Sequence, residues 1–154
     1  MASAREPFLL SEGKKFEQMI KKEWRDTSKD GKLNCERSIK KENGRKGRID
    51  IFVDEIGHNL VSIIEIKNTN WDMMKEENIR RNARRHIRQL WVYIDSQIKS
   101  SEVDICPGII FSRKPNDIQR LQLLESMFEN EGIQIVWYNE PIEELRERMK
   151  RKAL

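Results

Sequence analysis

The stretch Arg48-Ile-Asp-Ile-Phe-Val-Asp-Glu-Ile-Gly-His-Asn-Leu-Val-Ser-Ile-Ile-Glu-Ile-Lys67 decides the fold. Ile49, Ile51 and Val53 alternate with Asp50, Phe52 and Asp54; further on, Leu60, Ser62, Ile64 and Ile66 alternate with Val61, Ile63, Glu65 and Lys67. A period of two is the signature of a β-strand, and residues Glu55 to Asn59, with Gly57, supply the hairpin turn. The same period puts Glu65 and Lys67 on one face, roughly 7 Å apart along the strand, and antiparallel pairing brings Asp50 beside them. Val61 and Ile63 precede Glu65 on that face, which argues for burial there rather than a solvated surface.

An acid on one strand followed by Glu-x-Lys on the next, here Asp50 and then Glu65-Ile66-Lys67, resembles the catalytic core of the PD-(D/E)XK nuclease superfamily. The proline that usually precedes the first acid is absent, Ile49 standing in its place, but that proline carries no chemistry. The resemblance implies that Asp50, Glu65 and the Ile66 carbonyl hold Mg²⁺ or Mn²⁺ and that Lys67 orients or deprotonates the attacking water. Carboxylate oxygens suit such hard cations, which bind through one or two carboxylates plus waters and phosphate oxygens. The cation lowers the pKa of a water and neutralises charge on the phosphate.

Upstream, Ser11 reads as the N-cap of a helix to about Trp24, with Phe16, Met19, Ile20 and Trp24 at helical spacing. The superfamily often carries a metal-facing glutamate in its first helix, and Gly13-Lys-Lys-Phe-Glu17 resembles that element. By spacing alone, Glu17 pairs with Lys21 one turn on, as on any surface helix. From Thr27 to Gly47 the chain turns polar and basic, with one short strand expected around Leu33 to Ile39. Arg45, Lys46 and Arg48 lead straight into Asp50, where they are placed to meet a phosphate backbone.

Downstream, Asn68 to Asp72 leaves the sheet and a helix follows from about Met74 to Lys99, its apolar stripe being Ile79, Ala83, Ile87, Leu90, Ile94 and Ile98. Asn82, His86, Gln89 and Tyr93 form a polar stripe on one border, and Arg81, Arg84, Arg85 and Arg88 a basic one on the other, with Arg85 the candidate phosphate contact. Gln89-Leu-Trp-Val-Tyr93 resembles the Gln-x-x-x-Tyr motif of RecB-type superfamily members, which implies that Gln89 and Tyr93 help hold substrate at the site. Pro107 to Ser112 reads as a strand, Asn116 to about Asn130 as a helix with Ile118, Leu121, Leu124, Met127 and Phe128 inward, and Ile133 to Tyr138 as a last strand. A final helix opens at Pro141, with Glu144 and Arg148, and Glu147 and Arg151, at ion-pair spacing.

This order predicts an α/β fold, a central mixed β-sheet flanked by helices with core order αβββαβ followed by α-β-α. The resemblance makes it restriction-endonuclease-like over residues 11–112, within a single domain of 154 residues. A formal net charge of +4 and an isoelectric point near 9.1 fit an anionic partner, but 30 basic residues are largely offset by 26 acidic ones, so any electrostatic footprint is local. No run approaches the ~18 apolar residues of a membrane span and the N-terminus lacks a signal h-region, so a soluble cytoplasmic protein is expected. Cys35 and Cys106 are too few for a disulfide framework or a zinc site and read as reduced, structural thiols.

The expectation is a metal-dependent endonuclease that hydrolyses phosphodiester bonds in DNA. Its alternatives are an RNA-cleaving member of the same superfamily, toxins included, and a non-catalytic nucleic-acid or protein-binding module. The sequence leaves the oligomeric state open, a homodimer included.

Overall fold

β-Branched side chains fit a pleated surface, and isoleucine crowds the segments that pair: Ile49, Ile51, Ile63, Ile64, Ile66, Ile109 and Ile110 are all buried. The computed structural model describes residues 8–27, 32–40, 46–55, 60–97 and 104–141, and then residues 143, 144, 146, 147 and 150, which are helical. Its elements are α1 (Phe8–Thr27), β1 (Lys32–Lys40), β2 (Lys46–Glu55), β3 (Leu60–Lys67), α2 (Glu76–Gln97), β4 (Asp104–Phe111), α3 (Ile118–Asn130) and β5 (Gln134–Trp137). The strands form one mixed sheet in the order β1-β2-β3-β4-β5. β2 runs antiparallel to both of its neighbours, β1 and β3, while β4 and β5 continue parallel to β3. Parallel neighbours need crossover connections, and α2 and α3 supply them.

Each face of the sheet has its own helices. Phe16, Ile20 and Trp24 of α1 pack on Ile51, Val53, Ile64, Ile66 and Ile110. The predicted stripe of α2, through Ile94, joins Leu121, Leu124 and Phe128 of α3 over Phe52, Ile63, Ile109 and Phe111. Phe111 stacks on Trp137 at 5.3 Å and meets Trp71, His86 and Phe128 edge-on, which seats the segment after β3 against the end of β4. Arg120 fastens that segment, donating from Nη1 to the carbonyls of Trp71 (2.6 Å), Met74 (2.7 Å) and Asp72 (3.3 Å). The Asp72 carboxylate in turn accepts the backbone N–H groups of Asn116 (2.9 Å) and Asp117 (3.4 Å). Gly132, at a φ of 74°, takes the left-handed turn that leads from α3 into β5.

Several sequence expectations need correction. α1 is already helical at Phe8, so Ser11 lies inside the helix and does not cap it; Leu9 and Leu10 are good helix formers, and no breaker stands between Phe8 and Ser11. Met19 is exposed rather than core, its sulfur 3.8 Å from the Tyr138 hydroxyl. α3 starts at Ile118 because Asp117 is its N-cap, accepting the N–H groups of Gln119 and Arg120. That leaves Ile118 in the first turn, 65 % exposed and off the core face. Cys106 is a free thiol, as expected, but it is exposed rather than packed as a structural one. The turn at residues 56–59, Arg45, Ile98, Lys99, Arg148, Arg151 and the Cys35 side chain lie outside the described residues. Among the described residues no helix is long and apolar enough to cross a membrane.

Candidate active site

The site is built where β2 parts from β3. Their register runs from Glu55↔Leu60 to Ile51↔Ile64 and ends there. One step further, Ile49 packs with Phe52 in the α2 and α3 core, not with Ile51 and Val53 over α1, so the alternation of β2 slips at Asp50. Strands that separate leave backbone N–H groups in need of acceptors. Asp50 Oδ2 accepts the Ile66 N–H at 2.8 Å, and Glu65 Oε1 accepts the Asp50 N–H at 3.3 Å. The two carboxyl side chains are near enough to interact electrostatically. Asp50 is 6 % exposed and Glu65 3 %.

Charged side chains from three elements converge on this pair. Lys67 Nζ stands 3.8 Å from Glu65 Oε2 and is 27 % exposed, at the mouth of the site. Glu17 reaches in from α1, its carboxylate near that of Asp50; its Oε1 accepts from Lys21 Nζ at 2.6 Å and from Arg48 Nη2 at 3.2 Å. The spacing-based pairing of Glu17 with Lys21 therefore forms, but Lys21 is fully buried, so it is no surface pair.

The electrostatics follow from burial. Desolvation raises the Asp50 carboxyl despite the Ile66 N–H, and the Glu17 carboxyl adds to the rise. Glu65 is pushed well above the usual carboxylate range by burial and then by the charge of Asp50, with Lys67 offsetting part of it. Burial would raise Glu17 too, but its hydrogen bond to Lys21 and the nearby cations hold it below its ordinary value.

Helix α2 forms the third wall. Gln89 Nε2 donates to the Tyr93 hydroxyl at 2.8 Å, and Tyr93 is 4 % exposed. Burial, followed by the charges of Glu65 and Asp50, raises the Tyr93 hydroxyl above its ordinary pKa, while Gln89 and the Arg48 backbone bond to it and oppose the rise. Tyr93 thus links the Gln-x-x-x-Tyr pair to the strand that carries Asp50. His86, one turn before Gln89, is held neutral with its pKa lowered to about 4 by burial and by the charges of Lys67 and Arg85.

The basic row of α2 lies on the solvent side. Asn78 Oδ1 accepts Arg81 Nη2 at 2.7 Å, and Asn82 Oδ1 accepts Arg85 Nη2 at 2.7 Å. Neutral amides therefore brace these guanidinium groups without cancelling their charge, and no acid occurs between Asn78 and Ile94. Arg81, Asn82, Arg84, Arg85 and Arg88 line an open cleft of about 390 Å³. A larger groove of about 800 Å³, lined by Lys114, Ile118 and Glu144 among others, shares no residue with the acid cluster.

The structure thus brings Glu17, Arg48, Asp50, Glu65, Lys67, Gln89 and Tyr93 together, with Arg85 on the adjoining outer face. It describes only the backbone of Lys46, paired with Lys40. Sequence reasoning missed Lys21 as a site residue, although Glu17 and Lys21 share one border of the Phe16, Ile20, Trp24 stripe. It also passed over the asparagine braces, whose signal was Asn three residues before Arg, twice.

Among the described residues no three acidic, histidine or cysteine side chains form a ready-made metal cage. Mg²⁺ needs none, since it binds through one or two carboxylates and takes its other oxygens from water and phosphate. Two neighbouring buried carboxyl groups, with raised pKa values, are the donor set that a divalent cation would relieve. The residues fit the ion. Comparison with protein-family models and with curated protein sequences finds no match for this chain.

Proposed function

We propose that this chain is a metal-dependent nuclease that hydrolyses phosphodiester bonds in DNA and belongs among PD-(D/E)XK-type enzymes. The observation that carries the reading is the buried contact of Asp50 with Glu65, with Lys67 Nζ 3.8 Å from the second acid. Asp50, Glu65 and the Ile66 carbonyl would hold Mg²⁺ or Mn²⁺, with Glu17 alongside. When bound, the cation supplies charge neutralisation at the phosphate and acidifies water.

The chain's own groups do the rest. Lys67, partly exposed at the mouth of the site, orients the attacking water, whose proton passes to solvent. The water oxygen bonds to phosphorus as one ester P–O bond breaks, and the departing oxygen takes up a proton. Tyr93, fixed by Gln89, and Arg48 border the place where the scissile phosphate lies, while the braced arginines of α2 hold the backbone beyond it.

Purified chain incubated with circular double-stranded DNA, single-stranded DNA and transfer RNA tests this directly. Cleavage of DNA with Mg²⁺ or Mn²⁺, none in EDTA and none by Lys67→Ala is the expected result. Cleavage of transfer RNA alone would move the substrate to RNA, and undiminished cutting in EDTA would remove the mechanism. No cleavage of any nucleic acid with either metal would leave a binding module.

A further inference from the structure

Lysine is among the residues least often buried, yet Lys21 is fully buried on α1, its Nζ 2.6 Å from Glu17 Oε1. It shares that oxygen with Arg48, so the pair ties α1 to β2 at the place where the Glu17 carboxylate meets that of Asp50. Three carboxylates, Glu17, Asp50 and Glu65, face three cations, Lys21, Lys67 and Arg48. Of those cations Lys67 and Arg48 reach solvent, where their charge is screened, and Lys21 does not.

We infer that Lys21 is the resident counter-ion of the acid cluster, a positioning residue that holds the carboxylates together before any metal binds and sets how tightly metal binds. The inference rests on the reading of Asp50 and Glu65 as metal ligands. A fixed, unscreened positive charge against Glu17, whose carboxylate adjoins that of Asp50, opposes a divalent cation, so Lys21 keeps affinity moderate while letting the metal-free protein fold. It also couples metal to substrate. With all three acids ionised, as metal binding requires, Lys21, Lys67 and Arg48 already balance them, so a loaded site carries surplus positive charge where the phosphodiester lies. By linkage, phosphate backbone and metal then strengthen each other's binding. An ordinary structural ion pair would do neither.

Mn²⁺ binding followed by electron paramagnetic resonance, and thermal melts with and without saturating Mn²⁺, test this on the whole chain. Lys21→Met should lower the melting temperature of the metal-free protein more than that of the Mn²⁺-loaded protein, and tighten Mn²⁺ binding by about tenfold or more. Lys21→Arg, which keeps the charge, should stay within about threefold of the parent in Mn²⁺ affinity. Equal losses of melting temperature with and without Mn²⁺, at unchanged affinity, would make Lys21 a plain structural lysine and overturn the inference. If Lys21→Met does not fold, the comparison moves to Glu17→Gln against Glu17→Gln/Lys21→Met, which removes both charges of the pair. There the double variant should regain the Mn²⁺ affinity lost by the single one, and no regain overturns the inference. A parent that binds no Mn²⁺, or an Asp50→Asn variant that binds it as well as the parent, overturns instead the metal reading on which the inference stands.

Discussion

Glu65 Oε1 accepts the backbone N–H of Asp50, while Asp50 accepts the N–H of Ile66, the residue after Glu65. Each acid of the motif is thus anchored by the strand that carries the other, and the anchoring holds two carboxyl groups in a dry setting that disfavours both charges. Glu65→Gln should therefore raise the melting temperature of the metal-free protein, by about 2–4 °C for each kcal/mol recovered, and abolish cleavage. The pH dependence has a definite sign. A carboxyl whose folded pKa is raised adds stability that is fully present below its ordinary value near 4.5 and lost as pH rises through the folded value. The parent should gain stability on mild acidification from neutral pH, and Glu65→Gln should flatten that gain. Melts from pH 8 to pH 5 in EDTA read both, and identical profiles would show that Glu65 is charged without penalty.

His86 works in the opposite direction. Its imidazole, packed edge-on against Trp71 and Phe111, is held neutral with a pKa of about 4. A depressed histidine contributes stability that is present above its ordinary value of 6.5 and lost as pH falls from there towards 4. The loss is at most about 3 kcal/mol, reduced by whatever solvent reaches the ring. His86→Gln should remove that acid-side loss in melts from pH 7 to pH 4. An acid limb as steep as the parent's would assign the loss to other groups.

The hairpin, the buried face ending in Glu65, and the stripe of α2 were legible because each rests on local periodicity, and a strand's period survives in any context. The slip of β2 at Asp50 was not, since it is a matter of one strand leaving another, and nothing in Ile49-Asp50-Ile51 marks it. Lys21 shows the same limit. Its spacing to Glu17 reads as a surface pair, and only the packing of α1 across the sheet makes it the driest cation of the site. Asp117 as the cap of α3 was within reach, because an aspartate just before an apolar run is a helix-start signal.

Tyr93 connects Gln89 to the Arg48 backbone through one hydroxyl. Tyr93→Phe keeps the buried ring and deletes that link, so stability should fall by only about 1 kcal/mol. Turnover should suffer far more, by tenfold or more, if the link positions the phosphate; each 1.4 kcal/mol in the transition state is about tenfold in rate. Unfolding in urea, set against single-turnover cleavage, separates the two. Matched losses in both would reduce the Gln-x-x-x-Tyr pair to a packing feature.

The braced arginines act on affinity rather than chemistry. Each phosphate contact contributes about 0.9 to the slope of log affinity against log salt for duplex DNA. Arg81→Gln/Arg85→Gln should therefore lower that slope by about 2 and weaken binding evenly across sequences. Cleavage at saturating DNA should be unchanged. Fluorescence anisotropy at several salt concentrations, without metal, gives the slope, and an unaltered slope would place the backbone elsewhere than along α2.

Asp50→Asn separates binding from cleavage most sharply. The amide keeps the size of the side chain and an oxygen able to accept the Ile66 N–H, so β2 stays in place where it parts from β3. It loses the negative charge. Removing one anion beside the scissile phosphate lowers repulsion towards the backbone, while Arg48 and the arginines of α2 are untouched, so nucleic-acid binding without metal should hold or tighten slightly. Cleavage should vanish, because an amide oxygen is a poorer ligand than a carboxylate, and losing charge stabilisation at a phosphate costs several kcal/mol in the transition state. The variant should also melt no lower than the parent in EDTA, because burial and the Glu17 carboxyl raise the Asp50 pKa and make its charge unfavourable there. Anisotropy, cleavage and a thermal melt on the same preparation suffice. An Asp50→Asn protein with the parent's circular dichroism spectrum and the parent's cleavage rate would show that Asp50 serves only to satisfy the Ile66 N–H, and would remove the hairpin from the chemistry.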